Sequence, residues 1–217
     1  MSGVSWNWRY YLAVSTAFLC NMSLGILTLE SYGYNEVGLT MALRVSARFS
    51  IILFVIAFAI SSLYKLVHNK FIKWFFVRRR IVGVAFAAAH AVHLGFIVAL
   101  YLEVPKVTLN SPSPFYEVVG GGVGFLVIFA MVYTSFDGPS TKLGRVRWKF
   151  LHTHGSYYIW AIFVFCFAEA FIRDSKTLRS KAIANLHPNI YYYPFVLLLF
   201  SALLLRIYIT KRQIDKT

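Results

Sequence analysis

Acidic side chains are scarce in this chain: eight Asp and Glu stand against 22 Lys and Arg, and charged residues make up only 14% of the 217 positions. So little charge beside 59% hydrophobic and 18% aromatic content excludes an ordinary soluble domain. Cysteine is nearly absent as well. Cys20 and Cys166, the only two, both fall inside apolar runs, which excludes a disulfide framework or a thiolate cluster and reads as small buried hydrophobes. No glycine-rich dinucleotide fingerprint lies between a strand and a helix, so no flavin or nicotinamide domain is carried here. The stretch Gly120-Gly121-Gly122-Val123-Gly124 lacks the lysine and strand of a phosphate-cradling loop and reads as close helix packing. No internal repeat and no relay of intramembrane charges is present, which sets a transporter aside.

What fills the chain instead is apolar sequence in lengths that suit a bilayer. A hydrocarbon core of roughly 30 Å takes about 20 helical residues. Six runs meet that need, at about 9–29, 41–64, 79–102, 118–136, 149–172 and 190–210. They predict an all-α integral membrane protein, a single transmembrane domain over 1–217 built as a six-helix bundle in contact with membrane lipids. The first run is too long for a signal peptide and reads as a retained helix. Asn110-Ser111-Pro112-Ser113-Pro114 marks a loop before the fourth span.

The net charge of +14 would suggest nucleic acid in a soluble protein, but its placement reports topology and no nucleic-acid partner is predicted. Fifteen of the 22 basic residues fall on one side: Arg9, those from Lys65 to Arg80, those from Lys142 to Lys149, and Arg206 to Lys216. Arg44, Arg48, Lys106 and the four from Arg173 to Lys181 fall on the other. By the positive-inside rule both termini and the second and fourth loops are cytoplasmic.

Histidine supplies the chemistry. His90 and His93 sit three apart, on one face of the third span, and His152 lies at the mouth of the fifth in Trp148-Lys149-Phe150-Leu151-His152. An ionisable group inside a membrane helix is a functional-site hypothesis by default. His154 points to another face than His152, and His68 and His187 fall in loops; none is assigned a role. Arg44 and Arg48 form an i, i+4 pair inside the second span and require partners, either a bound carboxylate or the outer headgroups. Glu169 offers them a counter-charge or serves as a proton-handling group. Tyr157, Tyr158, Trp160 and Tyr191 to Tyr193 read as an interfacial aromatic belt.

The order Arg79-Arg80-Ile81-Val82-Gly83, His93, Thr134-Ser135, Leu143-Gly144 and Trp148-x-x-Leu151-His152 resembles the ferric-reductase-like transmembrane domain. Its nearest branch is the haem-binding membrane subunit of the bacterial methionine sulfoxide reductase system. The likeness runs from about Met41 to Arg206 and implies six helices around haem b in a bacterial inner membrane. Electrons would come from a separate flavoprotein or the quinone pool and pass to a separate acceptor, with the basic loops as a donor-docking surface. It implies His93 and His152 as haem-iron ligands, with His90 beside His93, and Arg48 and Arg44 as propionate partners.

One position departs from the family pattern: the second fifth-helix histidine is replaced by Phe165. At 1.5 Å per residue, His93 lies roughly 20 Å along its helix from Arg80, and His152 only about 5 Å from Lys149. Two ligands on such different levels do not flank one haem plane. A five-coordinate haem on His93 or His90, a displaced helix, Cys166 as sixth ligand, and no haem at all remain open. The alternative function is a redox-inactive accessory or scaffolding subunit of a larger membrane complex that kept the fold but lost full haem ligation.

The charge asymmetry generates the first prediction. Single cysteines placed near Lys70 and Lys142 will be shielded from impermeant thiol reagent in intact cells; labelling of both from outside would overturn the topology.

Overall fold

The structure is a computed structural model that describes residues 8–104, 119–174 and 191–215, the side chains of Arg9 and of 169–174 excepted. Within these residues the chain is all-helical, with no strand. The elements are α1 (Trp8–Tyr32), α2 (Glu36–Leu66), α3 (Lys70–Val77), α4 (Arg79–Glu103), α5 (Gly121–Tyr133), α6 (Asp137–Leu143), α7 (Arg145–Asp174) and α8 (Tyr193–Ile214). The Pro112-Pro114 loop, His187, Lys106, the Glu169 side chain and the basic side chains from Arg173 to Lys181 lie outside the described residues.

Capping explains where α2 starts, five residues before the apolar run. The Asn35 side chain accepts hydrogen bonds from Val37 N and Gly38 N at 2.9 and 3.1 Å, and Glu36 places negative charge at the positive helix end. Gly33, at φ +83°, ends α1 in the left-handed region. The turn is so tight that a Cβ on Gly38 would run into the carbonyl oxygen of Gly33.

Two helices interrupt regions read as loops. Asn69 caps α3 by accepting from Ile72 N at 2.7 Å, and the aromatic and aliphatic residues of α3 are helix-compatible beside Lys70 and Lys73. The other is α6, which leaves α5 at a bend of 102°. Here α5 stops at Tyr133 rather than near 136, because the hydroxyls of Thr134 and Ser135 turn back onto the carbonyls of Ala130 and Met131, both at 2.7 Å. Such side-chain bonds compete with helix continuation. Gly144, at φ +78°, then reverses the chain into α7.

Helices α1, α2 and α4 pack on one another, α8 covers α2, and α5 lies along α7. The core joins Ile51, Phe54 and Phe58 of α2 to Phe86, Ile128, Ile159, Phe163, Phe167 and Leu199 from α4, α5, α7 and α8. Outside, large apolar side chains such as Leu12, Leu126, Phe129, Leu197 and Leu204 are exposed. A protein with apolar residues on both its inside and its outside is suited to lipid rather than water. Cys20 and Cys166 belong to this outer surface and not, as the sequence suggested, to the interior.

Among the described residues four helices are long and apolar enough to cross a membrane: α1 over Tyr10–Tyr32, α2, α4 and α8, with a fifth if α5 and α6 form one bent span. The predicted fifth span falls on α7, whose 30 residues are ample in length. Its first half holds Arg145, Arg147, Lys149 and the polar run from His152 to Tyr158, which lower its hydropathy. Basic residues gather at one end of the bundle, where Arg80 meets Asp137 at 3.5 Å and Lys65 donates to Gln213 at 2.9 Å. The opposite end holds Tyr34, whose hydroxyl reaches Glu103 at 3.5 Å.

The close turn yields a stability prediction. Gly38→Ala will destabilise the detergent-solubilised protein by about 1–3 kcal/mol through the forced backbone shift, measured by thermal unfolding against wild type. No loss of stability would mean that α1 and α2 do not meet this closely.

Candidate functional site

His90 and His93 emerge from α4 toward the interior, one helical turn apart. Their rings stack at 4.9 Å between centroids and 22° between planes. On its other side the His90 ring stacks with Phe125 of α5 at 4.8 Å and 20°, and Phe86 and Phe163 close round it at 5.4 Å each. His93 Nδ1 shares a 3.0 Å hydrogen bond with Ser46 Oγ of α2. His90 Nδ1 is buried without a hydrogen-bond partner.

Behind the histidines lies a polar node that the sequence reading missed. Asn21 of α1 is wholly buried, and its Nδ2 donates to Ala89 O at 2.7 Å, Ser46 O at 3.3 Å and Ser50 Oγ at 3.4 Å. One amide therefore touches α2 and α4 at once, beside His90 and against the serine that orients His93. A signal was available: Asn21 is a lone amide in an apolar run, and Ser46 and Ser50 stand i, i+4 on α2.

His152 occupies a separate site. Its Nε2 lies 3.1 Å from Thr134 Oγ1, its ring stacks on Trp148 at 4.1 Å, and the Trp148 indole donates to Thr134 O at 3.0 Å. The motif residues Thr134, Trp148 and His152 thus converge as a latch between the end of α5 and the start of α7. His154 is exposed, with its ring against Phe150.

Arg44 and Arg48 face the start of α8. Both guanidinium groups lie over the Tyr192 ring, at 5.7 and 5.3 Å, and Arg48 also lies near Tyr191 and Phe195. Tyr192 is accordingly buried, whereas Tyr191 and Tyr193 point outward. Of the other aromatics, Tyr158 donates to Gly120 O and Trp160 to Leu199 O, each at 2.9 Å. Gly120 and Gly124 lie against α7, as close packing requires, while Gly121 and Gly122 meet nothing. Arg206, counted with the basic loops, instead lies over Phe58 and Tyr157 at 4.1 and 4.6 Å and donates to Phe58 O and Ser156 Oγ.

The structure keeps His93 and His152 apart. Facing His90 from α7 is Phe163, eleven residues beyond His152, or about 16 Å along the helix. Phe165 is 42% exposed on the outer surface, because the inward stripe of α7 runs through Ser156, Ile159, Phe163 and Phe167. Cys166 is exposed beside it. A haem gripped between His93 and His152 therefore does not fit these residues. Of the two histidines on α4, His93 shares its Nδ1 with Ser46, and the buried His90 Nδ1 has no hydrogen-bond partner.

No protein-family model, no curated protein and no solved structure matches the chain. Its class rests on the helices: the described residues are all-helical, with four to five segments among them able to cross a membrane, compatible with a multi-pass membrane protein.

The node predicts that Asn21→Leu will lower stability in detergent by about 1–3 kcal/mol, since buried acceptors on two helices lose their donor. Ser50→Ala, which removes the longest of the three Asn21 contacts together with the serine's own bond to Ser46 O, will cost less than about 1 kcal/mol. Equal effects would show that Asn21 acts by bulk alone.

Proposed function

We propose that this chain is a multi-pass haem-b-binding membrane subunit of an electron-transfer system, with His93 as the iron ligand and His90 beside it. The observation that carries the reading is the buried histidine pair, one ring oriented by Ser46 and the other with an orphaned Nδ1. Leaving a buried polar nitrogen unpaired costs about 1–3 kcal/mol, a cost that ligation of a metal would offset. Bound there, haem b would supply a one-electron carrier inside the bilayer. The chain's own residues would orient the ligand through Ser46 and keep water away with Phe86, Phe125 and Phe163. Arg48 and Arg44 would offer positive charge to propionates. Only one haem is accommodated, as His152 is committed to its latch with Thr134.

In this reading the six spans of the charge pattern run along α1, α2, α4, α5, α7 and α8, with the basic end and both termini in the cytoplasm. The donor is a separate flavoprotein or quinol, and the acceptor a separate molecule. A second reading, a redox-inactive accessory subunit of a larger complex, is favoured by the rings of Phe125 and Phe163 that fill the space beside His90.

Absorption spectra of the purified protein, oxidised and dithionite-reduced, decide between them. Expressed with ample haem, the wild type will show a Soret band, His93→Ala will lose most of it, and His152→Ala will keep it. Phe163→His, which places an imidazole opposite His90, will raise haem retention or shift the spectrum toward low spin, whereas Phe165→His will do neither. Absence of a Soret band in the wild type would remove the haem reading and leave the accessory one.

A further inference from the structure

We infer that α3 is a docking foot for anionic phospholipid, its aromatic face in the headgroup region and its cations on lipid phosphates. The eight residues of α3 bury none of their side chains, and Phe71, Trp74 and Val77 are 71%, 50% and 65% exposed. So apolar an exposed face on so short a helix is unsuited to water, yet Lys70 and Lys73 exclude it from the hydrocarbon core. The interface satisfies both, with Trp74 at the depth aromatic rings prefer.

The foot is fixed rather than dangling. Phe76 stacks on Tyr64 of α2 at 4.6 Å and 17°, so one side of α3 is held against the bundle and the other faces away. Arg78 and Arg79 follow directly. Arg78 lies 4.4 Å over the Trp74 ring and donates to Trp74 O at 3.4 Å, and Arg79 lies 4.8 Å over Phe76. Each guanidinium is thereby held against an aromatic ring of α3.

Charge selects the occupant. From Lys65 to Arg80 there are six basic residues and no acidic one. Asp137, the acid that reaches this region, is engaged with Arg80 at 3.5 Å. Among the described residues neither Arg78 nor Arg79 forms an ion pair, so the phosphates of anionic lipid are the natural counter-charge. An acidic protein would meet the cations but would leave Phe71 and Val77 exposed to water, which favours lipid.

The test uses the full chain reconstituted in phosphatidylcholine vesicles carrying equal fractions of brominated phosphatidylglycerol or brominated phosphatidylcholine. Trp74 emission is obtained as the difference between wild type and Trp74→Phe. Brominated phosphatidylglycerol will quench it about threefold more strongly, given roughly 1 kcal/mol of attraction per surface cation shared among several lipids. The combined Lys70→Gln, Lys73→Gln, Arg78→Gln and Arg79→Gln variant will keep quenching by phosphatidylcholine, showing α3 still seated, but lose the preference. Lys142→Gln with Lys149→Gln, which removes the same kind of charge from outside α3 and its flanking arginines, will retain it. Equal quenching by the two lipids, no quenching by either, or loss of the preference in this second variant would overturn the proposal.

Discussion

Polar groups in hydrocarbon have no water to fall back on, so a donor that finds acceptors within the protein holds them firmly. Asn21 turns that constraint into architecture. Its Nδ2 reaches acceptors on α2 and α4 together, so three helices share one donor and none can slide or rotate without stranding it. Non-directional contacts such as Ala17 with Ala85 and Ala89 permit such slippage at little cost. The node therefore sets the register of α1, α2 and α4, and with it the position of Ser46 against His93. The other polar sites obey the same rule locally, Thr134 with His152 and Arg206 with Ser156.

The lengths of apolar sequence carried most of the fold. For α4 the predicted 79–102 and the observed Arg79–Glu103 nearly coincide, since its hydrophobic run and its helix share the same limits. Where they diverge, the cause is local. Asn35 begins α2 in polar sequence, and Thr134 and Ser135 stop α5 inside an apolar run, so hydropathy misjudges both. Similarly, α3 is amphipathic on a scale too short for a span, and a hydropathy profile absorbs it into a loop.

The site was legible in part. His90, His93 and His152 stood out because histidine in apolar sequence is costly, yet depth along separate helices, not residue type, decides which of them meet. Asn21 and Ser46 were less visible, since an uncharged amide or hydroxyl barely disturbs a hydropathy profile. Cys20 and Cys166 depart from expectation for a general reason: a small apolar side chain is as comfortable against lipid as in a core, so composition does not tell the two faces of a membrane helix apart.

Helix phase is the property that sequence spacing alone left undetermined at Phe165. Along α7 the inward residues Ser156, Ile159, Phe163 and Phe167 recur every three or four positions, and that stripe leads back to His152. Position 165 is two residues from both Phe163 and Phe167, or about 200° round the helix from each, and so belongs to the outer face. A histidine at 165 would face outward rather than into the bundle, while Phe163 on the inner face occupies the space opposite His90. The aromatic wall around His90 and the absence of a facing imidazole are thus one fact seen from two sides. Across the bundle His93 meets Ser46 while His90 meets Phe125 and Phe163, so helix phase, more than the presence of histidine, sets what surrounds each imidazole.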